Sequence, residues 1–336
     1  EDLVTVLGEH VSKGLMRRFE SEMAWEERSR EEVYNLVLER VVDPKSVAQW
    51  TLYESLFEVN KIQQEMVEKF PEANLIFKSW VTPEFITSPQ SANALNAGVR
   101  TAILGSLGTI LISIIFSFPI GVGAAIYLQE YAKDNFINRI IQTNINNLAG
   151  VPSIIYGILG LALFVRALSF ITSGAAFGYS DPTTANGRTI LSAGLTLGLL
   201  ILPLIIINAQ EAIKAVPNSL RQASFGMGAT RWQTIWNHVL PSALPGILTG
   251  TILAISRAIG ETAPLVVVGA STFITFDPDG PFSKFTTLPI QIYQWTARPQ
   301  DVFRNIAAGA IIVLLIMLLS MNAIAVFLRN RFSRRM

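Results

Sequence analysis

Two regimes of hydrophobic patterning follow one another along the chain. From Val99 onward, apolar residues fill five long stretches, at about 99–128, 141–168, 189–210, 242–268 and 303–328. A helix needs about 20 residues to cross ~30 Å of hydrocarbon, so each stretch is long enough to span a bilayer, some with room for tilt. Helix is the expected form because an unpaired backbone group in lipid costs several kcal/mol. Upstream the pattern is that of a soluble protein. Ser29 and Glu32 are spaced as a capping box. The helix predicted after them, over 31–41, sets Val33, Leu36, Val37 and Val41 on one face. A second helix is predicted from Lys61 to Phe70, stopping before Pro71, and 74–80 reads as a strand. The expectation is an all-α polytopic membrane protein with five visible transmembrane helices (99–336), preceded by a small, mostly α, soluble domain (1–98).

Charge sharpens this division. Only 15% of residues are charged, against about 25% in ordinary soluble domains. Residues 1–98 hold 10 Lys/Arg and 17 Asp/Glu, a net of −7, whereas 99–336 carry a net of +8. Placing the C-terminus inside puts nine basic residues on the inner side: Lys133 and Arg139; Lys214, Arg221 and Arg231; Arg329, Arg331, Arg334 and Arg335. The outer loops 169–188 and 269–302 hold three, Arg188, Lys284 and Arg298. The positive-inside rule therefore predicts a cytoplasmic C-terminus. With five spans the acidic domain falls on the extracytoplasmic side, and a sixth span is expected upstream of Glu1.

Several chemistries are disfavoured. There are no cysteines and only two histidines, His10 and His238, so thiolate sites and histidine-based metal centres or triads are not expected. No Gly-Lys dipeptide occurs, so the chain lacks the lysine that a phosphate-cradling P-loop requires. Glycines 105, 108, 121, 123, 150, 157 and 160, with Pro119 and Pro152, lie in the first two spans and read as close-packing and break positions. In the fourth, Arg257 and Glu261 are four apart, hence on one helical face. An unpaired Arg at mid-membrane costs about 2.5–3.5 kcal/mol on insertion scales, so the pair marks a candidate functional site facing a cavity or partner helices.

Residues 221–241, RQASFGMGATRWQTIWNHVLP, resemble the EAA loop of ABC importer permeases. Gln222, Ala223 and Ser224 hold its first three places, Gly228 the glycine place, and Leu240-Pro241 its close; Gln222 stands where an acid is usual, and His238 where an aliphatic residue is common. Locally, a helix ending near Gly228 can turn sharply because glycine accepts positive φ, and Pro241 suits the first turn of the next span. The run RAIGETAP at 257–264, with AGVPSIIYG at 149–157 and LPIQIYQW and ARPQ at 288–300, is similar to the PstA-type permease subunit of phosphate ABC importers. The resemblance covers about 99–336.

That resemblance implies a type I ABC importer permease fold, with the cytoplasmic loop 211–241 coupling to the ATPase, in the inner membrane of a prokaryote. It implies a transporter subunit, not an enzyme, with no cofactor of its own and ATP and Mg²⁺ on a partner ATPase. The implied partners are a second, PstC-type permease, two ATPase subunits, a phosphate-binding protein, phosphate and the lipid membrane, with no nucleic acid. Arg257, whose planar fork suits phosphate oxygens, would pass between Glu261, or a partner acid, and the anion, with Thr262 as an extra donor. The alternatives are an importer for another oxyanion or small solute, a membrane receptor sensing through 1–98, and a membrane enzyme.

Overall fold

The structure, a computed structural model, describes residues 2–11, 16, 19–20, 24–25, 28, 30, 33–34, 37, 47–73, 75, 80–179, 184, 186–271 and 273–333. They fall into two compact units, Glu1–Ser79 and Trp80–Met336. No strand occurs among the described residues. The capping box at Ser29 and Glu32, the side chains of Leu36 and Val41, and most of the strand expected over 74–80 lie outside them.

In the first unit, helix α1 (Asp2–His10) buries Leu7 against Val33 and Val37, two of the residues expected to share a face. Helices α2 (Leu52–Phe57) and α3 (Val59–Lys69) follow, the latter close to the helix predicted before Pro71. Thr51 caps α2: its hydroxyl accepts from the Glu54 N–H while Glu54 accepts from the Thr51 N–H.

The second unit begins at Trp80, upstream of the boundary expected at 98, because 80–98 have their own partners among the membrane helices. Phe85, in the short helix α4 (Pro83–Thr87), packs on Trp295 with ring centroids 6.2 Å apart. Gln90 Nε2 donates to Gln294 Oε1 at 2.7 Å, and the Gly98 carbonyl accepts from Gln291 Nε2 at 2.8 Å.

Among the described residues, four helices are long and apolar enough to cross a membrane. They contain α5 (Arg100–Ile126), α8 (Ile190–Lys214), α11 (Leu240–Gly260) and α14 (Asp301–Ser333). Helix α8 is the centre of the bundle: 67% of its apolar window is buried, against 12% for α14. The second expected span, 141–168, is not straight. It comprises α6 (Phe136–Ala149) and α7 (Ser153–Gly160, continuing through a π-helical segment to Ala167), bent by 106°. Pro152 supplies the reason: it has no N–H to continue the helix, and it drives Val151 out of helical geometry. Tyr156 Oη donates to the Leu148 carbonyl at 2.8 Å and so satisfies a carbonyl freed at the end of α6.

The glycines let helices touch. A Cβ on Gly105 would collide with the Thr286 carbonyl, and one on Gly160 with the Thr196 hydroxyl. Buried hydroxyls return their hydrogens to backbone carbonyls: Ser113 Oγ donates to Thr109 O and, across the helix pair, lies 2.8 Å from Gly194 O. Contacts between α11 and α14 descend in antiparallel order, Ser256 Oγ to Asn322 Oδ1 at 2.7 Å and Arg329 Nη1 to Thr249 Oγ1 at 3.2 Å. The C-terminal end of α14 therefore lies at the same end of the bundle as the 215–239 connection.

Candidate functional site

Two constellations carry chemistry, one near each end of α11. The stretch expected to be one span over 242–268 is broken at its far end. Helix α11 stops at Gly260, Glu261 is extended at ψ 115°, and a short helix α12 (Ala263–Val268) restarts with Pro264 in its first turn. Pro264 has no N–H to bond the Gly260 carbonyl and its ring would clash there in a continuous helix, and Gly260 adds little to hold it.

At this break Arg257 Nε lies 3.5 Å from Glu261 Oε1, so the pair read from the i, i+4 spacing is formed. Its location differs from an interior site. The Arg257 side chain is 46% exposed and Glu261 19%, which puts the guanidinium on the surface of this chain, with the carboxylate on its inner side. Thr262 is half-buried; its hydroxyl bonds to neither. Behind the break, Ser106, Thr109, Ile110, Leu197, Ala258, Ile259, Leu265 and Thr287 line a small cavity. The Thr287 hydroxyl is buried there without a partner among the described residues.

The three sequence runs quoted above converge here. Gly157 of the 149–157 run packs against the break, where a Cβ would stand 2.7 Å from Pro264 Cα. Helix α13 (Leu288–Thr296), from the 288–300 run, closes the same end: its Leu288 N–H donates to Ser106 Oγ at 3.0 Å. Trp295 is fully buried.

At the other end, α8 gives way at Pro217 to helix α9 (Asn218–Gly226), which turns back through Gly228. The Gly228 N–H donates to Phe225 O and the Ala229 N–H to Ser224 O, the paired closing bonds of a glycine-terminated helix. Gly228 has φ +82°, as the sharp turn requires. Thr230 then caps a new helix by a reciprocal box with Gln233. That helix, α10 (Arg231–Thr234), runs through a π-helical turn (Ile235–Val239) into α11 without stopping. Pro241 thus lies early in α11 but within a continuous helix, and the wide turn ahead of it relieves its clash with the preceding carbonyls.

The two limbs of this elbow are tied together. Ser224 and Thr234, both buried, face each other at 2.9 Å. Leu240 packs with Ala125, Ile213 and Val239. Gln222 and Ala223 are exposed, as is His238. Met227 is 84% exposed, and the rings of Trp232 and Trp236 stack at 5.5 Å on the surface.

Sequence reasoning counted Arg221 and Arg231 only as inner-side charges. In the structure Arg221 Nη2 lies 2.7 Å from Glu130 Oε1, beside a π-helical turn (Tyr127–Tyr131) that ends α5. The partners are 91 residues apart in sequence. The one available signal was Glu130 in a short segment whose other acid, Asp134, pairs locally with Arg139.

Comparison with known proteins places these features. Residues 117–336 match the family described as "Binding-protein-dependent transport system inner membrane component". The chain is 32% identical to a probable ABC transporter permease protein, YqgI, of Bacillus subtilis, over 75% of this chain and 85% of that protein. It is 35% identical to the phosphate transport system permease protein PstA of Mycobacterium leprae, over 71% of this chain and 72% of that one. Among solved structures, an inward-facing MetNI methionine ABC transporter superposes with a TM-score of 0.52 at 17% identity, covering 70% of this chain and 95% of that one, a likeness of fold.

Proposed function

Because this chain belongs to the family of inner membrane components of binding-protein-dependent transport systems, we propose that it is one of two permease subunits of an ATP-driven importer of inorganic phosphate. The second permease would be PstC-type. ATP and Mg²⁺ would be held by two separate ATPase subunits, and a phosphate-binding protein would deliver cargo at the end formed by α4, α13 and the α11–α12 break. The unit preceding Trp80 would then stand on the extracytoplasmic side, and the elbow and C-terminus on the cytoplasmic side, in accord with the basic residues there.

The observation that carries the reading is the placement of Arg257. A guanidinium on the chain surface, at a helix break and with its own carboxylate 3.5 Å away, suits a path between this subunit and a second permease. A multiply charged, strongly hydrated anion needs a compensating cation with donors to leave water. Arg257 offers a planar fork for phosphate oxygens. Glu261 holds that fork while the path is empty and releases it when the anion competes. Thr262, next to Glu261 in the break, supplies a further donor once the helix ends separate. At the other end, Gln222, Ala223 and the exposed Met227, Trp232 and Trp236 form the surface on which an ATPase seats. A movement imposed there is carried by the elbow into α8 and α11. Transport requires that the ATP-bound and ATP-free states make different contacts at that surface.

Reconstitution tests this. The complete complex in vesicles, supplied with its binding protein, is expected to accumulate phosphate, and phosphate-loaded binding protein is expected to stimulate ATP hydrolysis. Arg257→Gln should abolish accumulation while the ATPase subunits still copurify. Stimulation by sulfate- or molybdate-loaded protein in place of phosphate would assign another oxyanion. Unimpaired phosphate uptake by Arg257→Gln would remove that residue from the path.

A further inference from the structure

We infer that the π-helical turn Tyr127–Tyr131, through Glu130, is the node at which displacement of the elbow is handed to α5, so that α5 and the elbow move as one body during the cycle. The inference rests on the reading of this chain as an ATPase-driven permease. It concerns how the push travels, not what is carried.

Both limbs of the elbow grip this one turn. From α9, Arg221 donates to Glu130 Oε1 through Nη2 at 2.7 Å and through Nε at 3.2 Å. The same guanidinium donates to Ile213 O at 2.9 Å, Val216 O at 2.7 Å and Asn218 Oδ1 at 3.3 Å. It therefore neutralises carbonyls freed at the end of α8 while holding the carboxylate of α5. From the second limb, Arg231 Nη1 reaches the Glu130 carbonyl at 3.3 Å, and its guanidinium lies over the Tyr131 ring, 5.9 Å from the centroid. Ser224 and Thr234 join the two limbs at 2.9 Å.

The pair is withdrawn from water, with Arg221 15% and Glu130 11% exposed. Salt screens such a pair poorly, and neither charge can leave without stranding the other. The π-helical turn explains the geometry. Its wider winding interrupts the regular bonding of α5, and the Ala132 N–H closes on Tyr127 O, so the Glu130 carbonyl is open to Arg231.

The other end of α5 touches the elements around the α11–α12 break. Ser106 accepts from the Leu288 N–H, Gly105 packs on Thr286, and Ser106, Thr109 and Ile110 line the cavity shared with Ala258 and Ile259. A displacement received at Glu130 is thus delivered behind the Arg257–Glu261 break along a helix of 27 residues, about 40 Å long. This makes Glu130 and Arg221 positioning residues for coupling, distinct from those that meet the solute or the ATPase.

The cysteine-free sequence permits a direct test. Spin labels at Ser219→Cys on α9 and Leu111→Cys on α5 report the distance between elbow and α5 in the complete complex, nucleotide-free and ATP-trapped. That distance is expected to stay the same in both states with Glu130 and Arg221 intact. With Glu130→Gln it is expected to change with nucleotide, and phosphate accumulated per ATP hydrolysed is expected to fall by about tenfold, within the range of ordinary coupling energies. Copurification of the ATPase should persist. Arg221→Lys, which keeps the charge and loses the fork, gives a milder form of the same result and takes the place of Glu130→Gln if that variant does not assemble. The proposal is overturned if the distance already changes with nucleotide in the parent pair, or if both variants keep the distance fixed and the ratio within about twofold of the parent. Failure of the parent complex to accumulate phosphate would reject the phosphate reading alone, since the distance measurement needs no transported solute.

Discussion

Gly226 and Gly228 lie two residues apart at the tip of the elbow, and a Cβ on either would meet nothing within 4 Å in this chain. Their backbones differ. Gly226 is the last residue of helix α9, whereas Gly228 has φ +82°. Alanine at 228 must adopt a left-handed conformation, which costs about 1–2 kcal/mol for an L-residue. Alanine at 226 restricts the unfolded chain without strain and should stabilise the helix by about 0.5–1 kcal/mol. With no new contact to confuse the comparison, the two substitutions have opposite signs. Hydrogen exchange over 218–234 in the assembled complex measures the local opening free energy. Gly228→Ala should speed exchange by about 5–30-fold, and Gly226→Ala should slow it by about two- to fivefold. Equal shifts in one direction would refute the backbone account of this turn and assign the effect to contacts with a bound partner.

Other outcomes follow from the packing. Gly157→Ala would bring a Cβ to 2.7 Å from Pro264 Cα and 3.1 Å from its carbonyl; with backbone on both sides, the loss should be about 1–3 kcal/mol, read as lower thermal stability of the purified complex together with slower transport. Tyr156→Phe removes the bond to Leu148 O and should cost about 1 kcal/mol, visible as faster exchange across 147–153. In the first unit, hydrogen bonds from the Thr51 N–H and hydroxyl hold the Glu54 carboxyl below its ordinary pKa. That contribution is complete above the unfolded carboxylate value and is lost as pH falls through the lower folded one, so limited proteolysis within 51–57 should accelerate below about pH 4 and lose this acid dependence in Glu54→Gln.

Much of the architecture is written in local patterns. Long apolar runs specify α5, α8, α11 and α14 because lipid leaves the backbone no alternative to helix. The elbow is equally local: Gly228 and the Thr230–Gln233 box fix its turn within a dozen residues. The Arg257–Glu261 pair followed from spacing alone. Hydropathy did not reveal the 106° bend at Gly150–Pro152 or the interruption at Glu261, because an average over 20 residues is blind to one proline. The Glu130–Arg221 bond was invisible for a different reason: it joins residues 91 apart, and its geometry depends on a π-helical turn that no periodicity encodes. Nor does spacing say whether Arg257 points into its own chain or out of it; that is decided by how α11 rotates against α5 and α8.

The sharp bend before α7 bears on the surrounding lipid. Measured along the axis of α7, residues 153–167 advance only about 22 Å, some 8 Å short of a hydrocarbon layer ~30 Å thick. Helix α6, turned by more than a right angle, adds no length in that direction. A rod this short, set against lipid, predicts acyl chains that tilt or shorten beside it, so transport should change with the acyl-chain length of the reconstituting lipid.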